Sequence, residues 1–280
     1  MTLSGTISVV IRVRNEGPAL RKVLCALEAQ DVKPLEIVVV DNASTDDSRI
    51  AALQHGAKIV EMPQKEFTYG RALNIGIQQA RGEFICILSA HSLPIGRDFL
   101  RKGIAPLADS KIAAVRCLSV TSRVELENWT KLVVLDWPIK IETVISSAPV
   151  NSAAVIRRSV WEEIPYDETL EGVEDKFWAF QVLKSGHQIC NSTAMFLCLR
   201  DLGFGDQLRK LSRDRAEFFK KTGRQWQQPP VSLGLLIVNA FYTIPRRAIR
   251  AALYEAALYA SLKMIPYQVK RKQKAGRSCS

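Results

Sequence analysis

Three apolar runs in this chain each end in side chains that could do chemistry. Arg12, Arg14 and Glu16 close or follow ISVVIRV, Asp41 and Asn42 come directly after EIVVV, and Ser89, His91 and Ser92 end or follow FICILS. A nucleotide needs a carboxylate or amide for its base edge and donors for its phosphates, and this set holds both. If the runs are buried strands of an open α/β sheet, the crevice outside their carboxyl ends is where ligands bind. Taken singly, each has a plainer reading: Asp41 as the start of an Asx-turn, Arg14 as a surface cation, Ser89 to Ser92 as a capped turn. Their joint placement at one edge is what favours a site.

The elements that must position these residues alternate. Ile7 to Val13 reads as a strand, and Gly17 to Gln30 has helical apolar spacing through Leu20, Val23, Leu24 and Leu27; Leu35 to Val40 is a second strand. Ser44 or Thr45 is placed to cap a helix running to about Gln54. A short strand at Lys58–Val60, a helix from Tyr69 to Ala80 and the strand Phe84–Ser89 complete the series, which predicts a largely parallel sheet.

Several function classes drop out. The turn after the first strand, Arg12-Val13-Arg14-Asn15-Glu16-Gly17-Pro18, has a single glycine where a dinucleotide fold needs a Gly-rich turn, and no Gly-Lys-Ser/Thr of a P-loop occurs. The first residues show neither a basic n-region nor a cleavage site, so no secretory signal is expected. Cys25, Cys86, Cys117, Cys190, Cys198 and Cys279 show no paired metal-ligand spacing; the first five lie among apolar residues and read as reduced core cysteines of a cytosolic protein. His55 reads as structural or exposed, with no polar cluster nearby, and His187 as a turn residue. Trp129 and Trp137 with Pro138 read as core before they read as a sugar-stacking platform.

The order ISVVIRVRNE, EIVVVDNASTDDS, YGRALNIGIQQARGEFICIL and a polar cluster, followed by Asn151 to Glu168 and then Leu170-Glu171-Gly172-Val173-Glu174-Asp175, resembles the family 2 glycosyltransferases of the GT-A fold over roughly residues 6–190. The variants FTYGRALNIG and SAHSLP look most like bacterial transferases of surface-polysaccharide assembly, rhamnosyltransferases among them. The resemblance implies an α/β fold, a Rossmann-like mostly parallel sheet flanked by helices, in a catalytic domain over residues 1–200. It implies an inverting enzyme of polysaccharide biosynthesis that moves a sugar from a nucleotide-diphosphate donor to a hydroxyl of a glycan or lipid-linked glycan. Asp175, with Glu174 second, would be the general base, and the segment after them has helical spacing through Phe177, Phe180, Val182 and Leu183. The donor would meet Arg12, Arg14, Glu16, Asp41, Asn42, Arg71, Asn74, Ser89 and His91. Where the family usually carries Asp-x-Asp, this chain has Ser89-Ala90-His91, so a divalent metal, manganese or magnesium, would have His91 as its ligand, a donor that suits manganese better. The alternative is a non-catalytic, nucleotide-sugar-binding scaffold in an assembly complex.

Charge divides the chain. Of 39 Lys/Arg and 28 Asp/Glu, residues 1–200 hold 23 of each, so the net charge of +11 resides in 201–280. A basic helix is expected from Leu202 to Lys221. Val231 to Ile244 is uncharged and, at 14 residues, shorter than the about 20 a bilayer span needs. With the Ala/Leu/Tyr-rich segment to Ile265 it suits a helical hairpin on an anionic membrane surface, or one buried against the catalytic domain or in a homo-oligomer contact. These expectations place the protein in the cytoplasm, peripheral to the inner face of the cell membrane. No nucleic-acid-binding motif accompanies the charge.

Overall fold

The computed structural model of the chain describes residues 5–120, 133–147, 151–200 and 204–224. The expected hairpin and the basic tail lie outside the described residues, as does Trp129. The described residues fall into two compact units, one of those up to 200 except 171–173, the other of those three and 204–224.

The first unit begins with the predicted alternation: β1 (Ile7–Val13), α1 (Gly17–Glu28), β2 (Glu36–Asp41), α2 (Ser48–Gln54), β3 (Lys58–Glu61), α3 (Tyr69–Gln78) and β4 (Phe84–Ser89). Then follow β5 (Ser92–Ile95), α4 (Phe99–Ile104), β6 (Ile112–Ser119), β7 (Val134–Leu135), α5 (Ile141–Ser147), β8 (Ala153–Arg157), α6 (Arg158–Glu163), α7 (Glu174–Lys184) and β9 (Gln188–Cys198). One sheet takes all the described strands, in the order β3-β2-β1-β4-β8-β6-β9-β5 with β7 on β9. β1 to β4 pair in parallel. β8 then enters antiparallel between β4 and β6, and β5 and β7 lie antiparallel to β9, while β6 and β9 share the direction of β1. The sheet is thus parallel in its first half and mixed in its second.

Period-2 alternation sorts the strand side chains onto two buried faces. Val9, Ile11, Cys86 and Leu88 pack with Leu20, Leu24 and Leu27 of α1 on one face. Val10, Ile85 and Ile87 pack with Leu73 and Ile77 of α3 and Trp178 and Val182 of α7 on the other. All six residues of β4 are buried, as a strand covered on both sides requires. Each fully buried aliphatic side chain contributes roughly 1.5–3 kcal/mol, so these layers fix where the strand ends fall. Gly76 lets α3 approach: a Cβ there would stand 2.5 Å from Val10 Cγ1 and 2.8 Å from Val40 Cγ2.

Several expectations are corrected. Helix α2 starts at Ser48 with Asp47 as its N-cap residue, so neither Ser44 nor Thr45 caps it. The Ser44 hydroxyl accepts instead from the Asn15 amide, at 3.0 Å. Cys25 is exposed, because it lies on the outer side of α1 away from Leu24 and Leu27; Cys86, Cys117 and Cys190 are buried. Trp137 is 41% exposed and meets Phe180 edge to face, so it is a surface aromatic and not a core one. His55 is not isolated: its Nδ1 stands 2.6 Å from Glu28 Oε1.

In the second unit the basic helix runs from Phe204 to Thr222 as α8, with Arg209 paired to Asp206 at 2.5 Å. Gly172 packs in that unit where a Cβ would meet Asp214 Oδ1 at 2.5 Å. Among the described residues no helix is long and apolar enough to cross a membrane.

Candidate active site

Register brings the predicted residues to one edge. Arg12 lies opposite Val40 on one side and Ser89 on the other, and Val13 lies opposite Asp41, so β1, β2 and β4 end level. The loops that leave them are laced together. The Asn15 Oδ1 accepts from the Thr45 amide at 2.7 Å, the Gly17 amide donates to Asp46 at 2.9 Å, and the Glu16 amide donates to the Ser48 hydroxyl at 3.1 Å. Asn15 and Ala43 take left-handed backbone, φ 52° and 51°, conformations uncommon for side-chain-bearing residues and held here by those cross-links. The bonds that Asp46 accepts from Gly17 and Ser48 hold its carboxyl below the usual range, against a desolvation that is larger than any one of them. Asp41 and Asn42 are buried at the floor of this edge. The Asp41 carboxylate accepts from the Ser44 amide at 3.3 Å, while the Asn42 Oδ1 is buried with no partner among the described residues.

Because β8 runs antiparallel to β4, its start arrives at the end of β4, and Asn151 and Ser152 join the same edge. The Ser89 amide donates to the Ser152 carbonyl at 3.0 Å. Asn151, buried, becomes a hub. Its carbonyl accepts from Arg12 Nη2 at 3.0 Å, its Nδ2 donates to Glu174 Oε1 at 3.1 Å, its Oδ1 accepts from the Tyr166 hydroxyl at 3.2 Å, and its amide donates to Asp175 Oδ2 at 3.3 Å. Glu174 and Asp175 open α7, where the unpaired amides of a first turn favour carboxylates. The two differ in setting: Glu174 is buried, whereas the side chain of Asp175 is 16% exposed. Burial first, and then the charge of Asp175, raise the Glu174 carboxyl to about 7, against the opposing pull of Arg12 and Asn151. Burial likewise pushes the Tyr166 hydroxyl well above its ordinary value, helped by the same two carboxyls.

The remaining cations and polar groups divide. The Arg12 guanidinium lies over the Tyr69 ring, 5.1 Å from its centroid, and its Nε and Nη1 are buried with no hydrogen-bond partner among the described residues. Arg14 is exposed. Arg71 is paired with Glu66 at 2.8 Å and Glu168 at 3.7 Å. Asn74 is spent on the segment leading to the acids: its Oδ1 accepts from Trp161 Nε1 and the Tyr166 amide, and its Nδ2 donates to the Tyr166 carbonyl and Glu168. The His91 Nδ1 stands 2.8 Å from Glu16 Oε2, and Glu16 Oε1 lies 3.6 Å from Arg200. Asn151, Tyr166 and Tyr69 were not foreseen as site residues. The only sequence signal for Asn151 is a lone amide ahead of the apolar run Ala153-Ala154-Val155-Ile156.

A parallel half with polar strand ends, joined through an inverted β8 to a half carrying two acids at a helix start, is the architecture of the GT-A glycosyltransferases. The mannosyltransferase PcManGT from Pyrobaculum calidifontis, solved in complex with GDP-Man and Mn2+, superposes with a TM-score of 0.64 over 98% of this chain and 85% of its own, at 20% identity. The model of glycosyl transferase family 2 matches residues 8–161, and the chain belongs to that family. The O-antigen chain rhamnosyltransferase RfbN of Salmonella typhimurium is 26% identical over 199 residues, 65% of this chain and 62% of its own length. An uncharacterized glycosyltransferase of Rickettsia typhi is 35% identical over 92 residues, 33% of this chain and 29% of its own. The chain therefore spans less than two thirds of the length of these two relatives.

Proposed function

We propose that this chain is an inverting glycosyltransferase that moves a sugar, of rhamnosyl or hexosyl type, from a nucleotide-diphosphate donor to a hydroxyl of a glycan or lipid-linked glycan. The observation that carries the reading is the Asn151 hub, which ties the acids of α7 to Arg12 at the strand-end edge. Asp41 and Asn42 suit the nucleoside, Asp41 as the acceptor from a base ring and the buried Asn42 Oδ1 as a group still lacking a donor. The free nitrogens of Arg12 suit the diphosphate, with Arg14 exposed alongside.

Asp175 acts as the base. It takes the proton of the acceptor hydroxyl as that oxygen bonds to the anomeric carbon, and the bond from that carbon to the diphosphate oxygen breaks, releasing the nucleoside diphosphate. Glu174, buried and raised to about 7, holds its proton for much of the time at neutral pH and keeps Asn151 oriented. Its retention also favours catalysis over a scaffold role, since a scaffold needs no buried acid pair.

A divalent metal fits the residues present only as a shared ion. His91 and Glu16 offer one imidazole and one carboxylate, a donor set that suits manganese, with the diphosphate supplying further oxygens. Such an ion would neutralise charge on the leaving diphosphate. The likeness to RfbN, an O-antigen chain rhamnosyltransferase, supports polysaccharide assembly as the setting.

The test is nucleotide release from a panel of donor sugars with cell-envelope extract as acceptor, for the wild type and Asp175→Asn. The variant is expected to lose roughly 10²–10⁴-fold in turnover, as for removal of a general base, with donor affinity little changed. If Asp175→Asn keeps near-wild-type turnover while Glu174→Gln loses it, the two roles are exchanged. If both keep it, the mechanism fails.

A further inference from the structure

At the opposite edge of the sheet, α1 and α2 end side by side. Cys25 and Glu28 occupy the last turn of α1, three residues apart and so on one face, and His55 is the C-cap residue of α2. One ligand atom from each of the three lies within 4.8 Å of the other two. The Cys25 thiol and the Glu28 carboxylate are exposed, and the His55 side chain, 16% exposed, already meets Glu28 through Nδ1. We infer that Cys25, Glu28 and His55 form a site for a borderline-soft transition metal of the zinc class, separate from the donor site.

The chemistry selects the ion. A thiolate and an imidazole in one set exclude magnesium and calcium, which want oxygen donors, and suit zinc, with bonds of about 2.3 Å to sulfur, 2.0–2.1 Å to nitrogen and 2.0–2.2 Å to oxygen. Tetrahedral angles then put ligand atoms about 3.3–3.6 Å apart. The Glu28 and His55 atoms, at 2.6 Å, would open by about 1 Å or less as the metal replaces the proton between them, and the sulfur, within 4.8 Å of both, would close by at most about 1.3 Å. The exposed Cys25 and Glu28 side chains are free to make that adjustment. Three protein ligands leave a fourth position for water.

Electrostatics agrees with a cation here. The carbonyl end of α1 carries the negative pole of its dipole, and neither α1 nor α2 has a basic residue in its last turn. Two cations already serve the carbonyls at this end of α1, the Lys33 ammonium donating to the Glu28 carbonyl and Arg97 Nε to the Ala29 carbonyl. At about 1.5 Å per residue, Cys25 and Glu28 stand roughly 13–18 Å along α1 from Glu16, which meets His91 at the start of the helix. An ion here would pin α1 to α2, the two helices that cover one face of β1 and β2.

The test is cobalt titration of the reduced full chain, read by the thiolate-to-cobalt charge-transfer band and by displacement with zinc. A saturable band at one ion per chain is expected, absent in Cys25→Ser, shifted to more than about tenfold weaker affinity in Glu28→Gln and His55→Gln, and kept in His91→Ala. Zinc should raise the melting temperature of the wild type and not of Cys25→Ser, whose metal-free melting should match the wild type because the side chain is exposed. A band that survives Cys25→Ser, the absence of any saturable band, or Glu28→Gln and His55→Gln titrating like the wild type would each overturn the site. Loss of the band in His91→Ala would place the ion at the other edge and overturn it as well.

Discussion

Glu174→Gln offers the sharpest reading of the buried acid pair. In the folded chain burial and the neighbouring Asp175 raise Glu174 from 4.5 to about 7, so the folded state holds this proton more tightly than the unfolded state does. Its contribution to stability is therefore complete below about pH 4.5 and is lost as pH rises through about 7. The difference between those two values, at about 1.4 kcal/mol per unit, gives a loss on the order of 3 kcal/mol by pH 8. Glutamine keeps the oxygen that accepts from Asn151 Nδ2 and has no proton to lose, so the variant should lack this slope. Urea midpoints from pH 5 to 8.5 measure it. Above about pH 8 the curves of wild type and Glu174→Gln should run parallel, and between about pH 5 and 7 they should draw apart, with the variant gaining relative stability. Parallel curves over that range would show that Glu174 is not held protonated in the folded protein, and the account of the acid pair would be wrong.

Three more outcomes follow from the same edge. Asp41→Ala should weaken nucleoside-diphosphate binding by about 1.5–3 kcal/mol, the range for a hydrogen bond to a charged group, and unchanged affinity by calorimetry would remove Asp41 from the site. Asn151→Ala removes the partner of the buried Tyr166 hydroxyl and the side-chain partner of Glu174 and should cost roughly 1–3 kcal/mol in urea unfolding; a variant as stable as the wild type would mean that the hub is not formed. His91→Ala should abolish manganese-stimulated nucleotide binding with the fold intact by circular dichroism, and a wild type that binds equally well in chelator would dismiss the metal role.

The alternation of apolar runs with helical spacing was legible in the residues themselves. β1 spans the expected Ile7 to Val13, and β2, α3 and β4 fall within a residue or two of expectation, because strands buried on both faces have little choice but continuous apolar sequence. The polar residues at their ends were visible for the same reason: a buried strand must stop where polar side chains begin. What no local pattern carried was the direction of β8. An apolar run of Ala153 to Ile156 suits a parallel or an antiparallel neighbour equally, and a parallel one would have sent Asn151 to the far edge. Only the pairing with β4 and β6 brings Asn151 to Arg12, Glu174 and Asp175, where burial and the neighbouring Asp175 raise Glu174. The same limit explains Cys25 and His55. Composition treats a cysteine among apolar neighbours as core, but helical phase turns Cys25 outward, and the packing of α1 on α2 sets it beside a histidine 30 residues further along the chain. Spacing along one element is a property of the sequence; adjacency between elements is settled by how their buried faces pack.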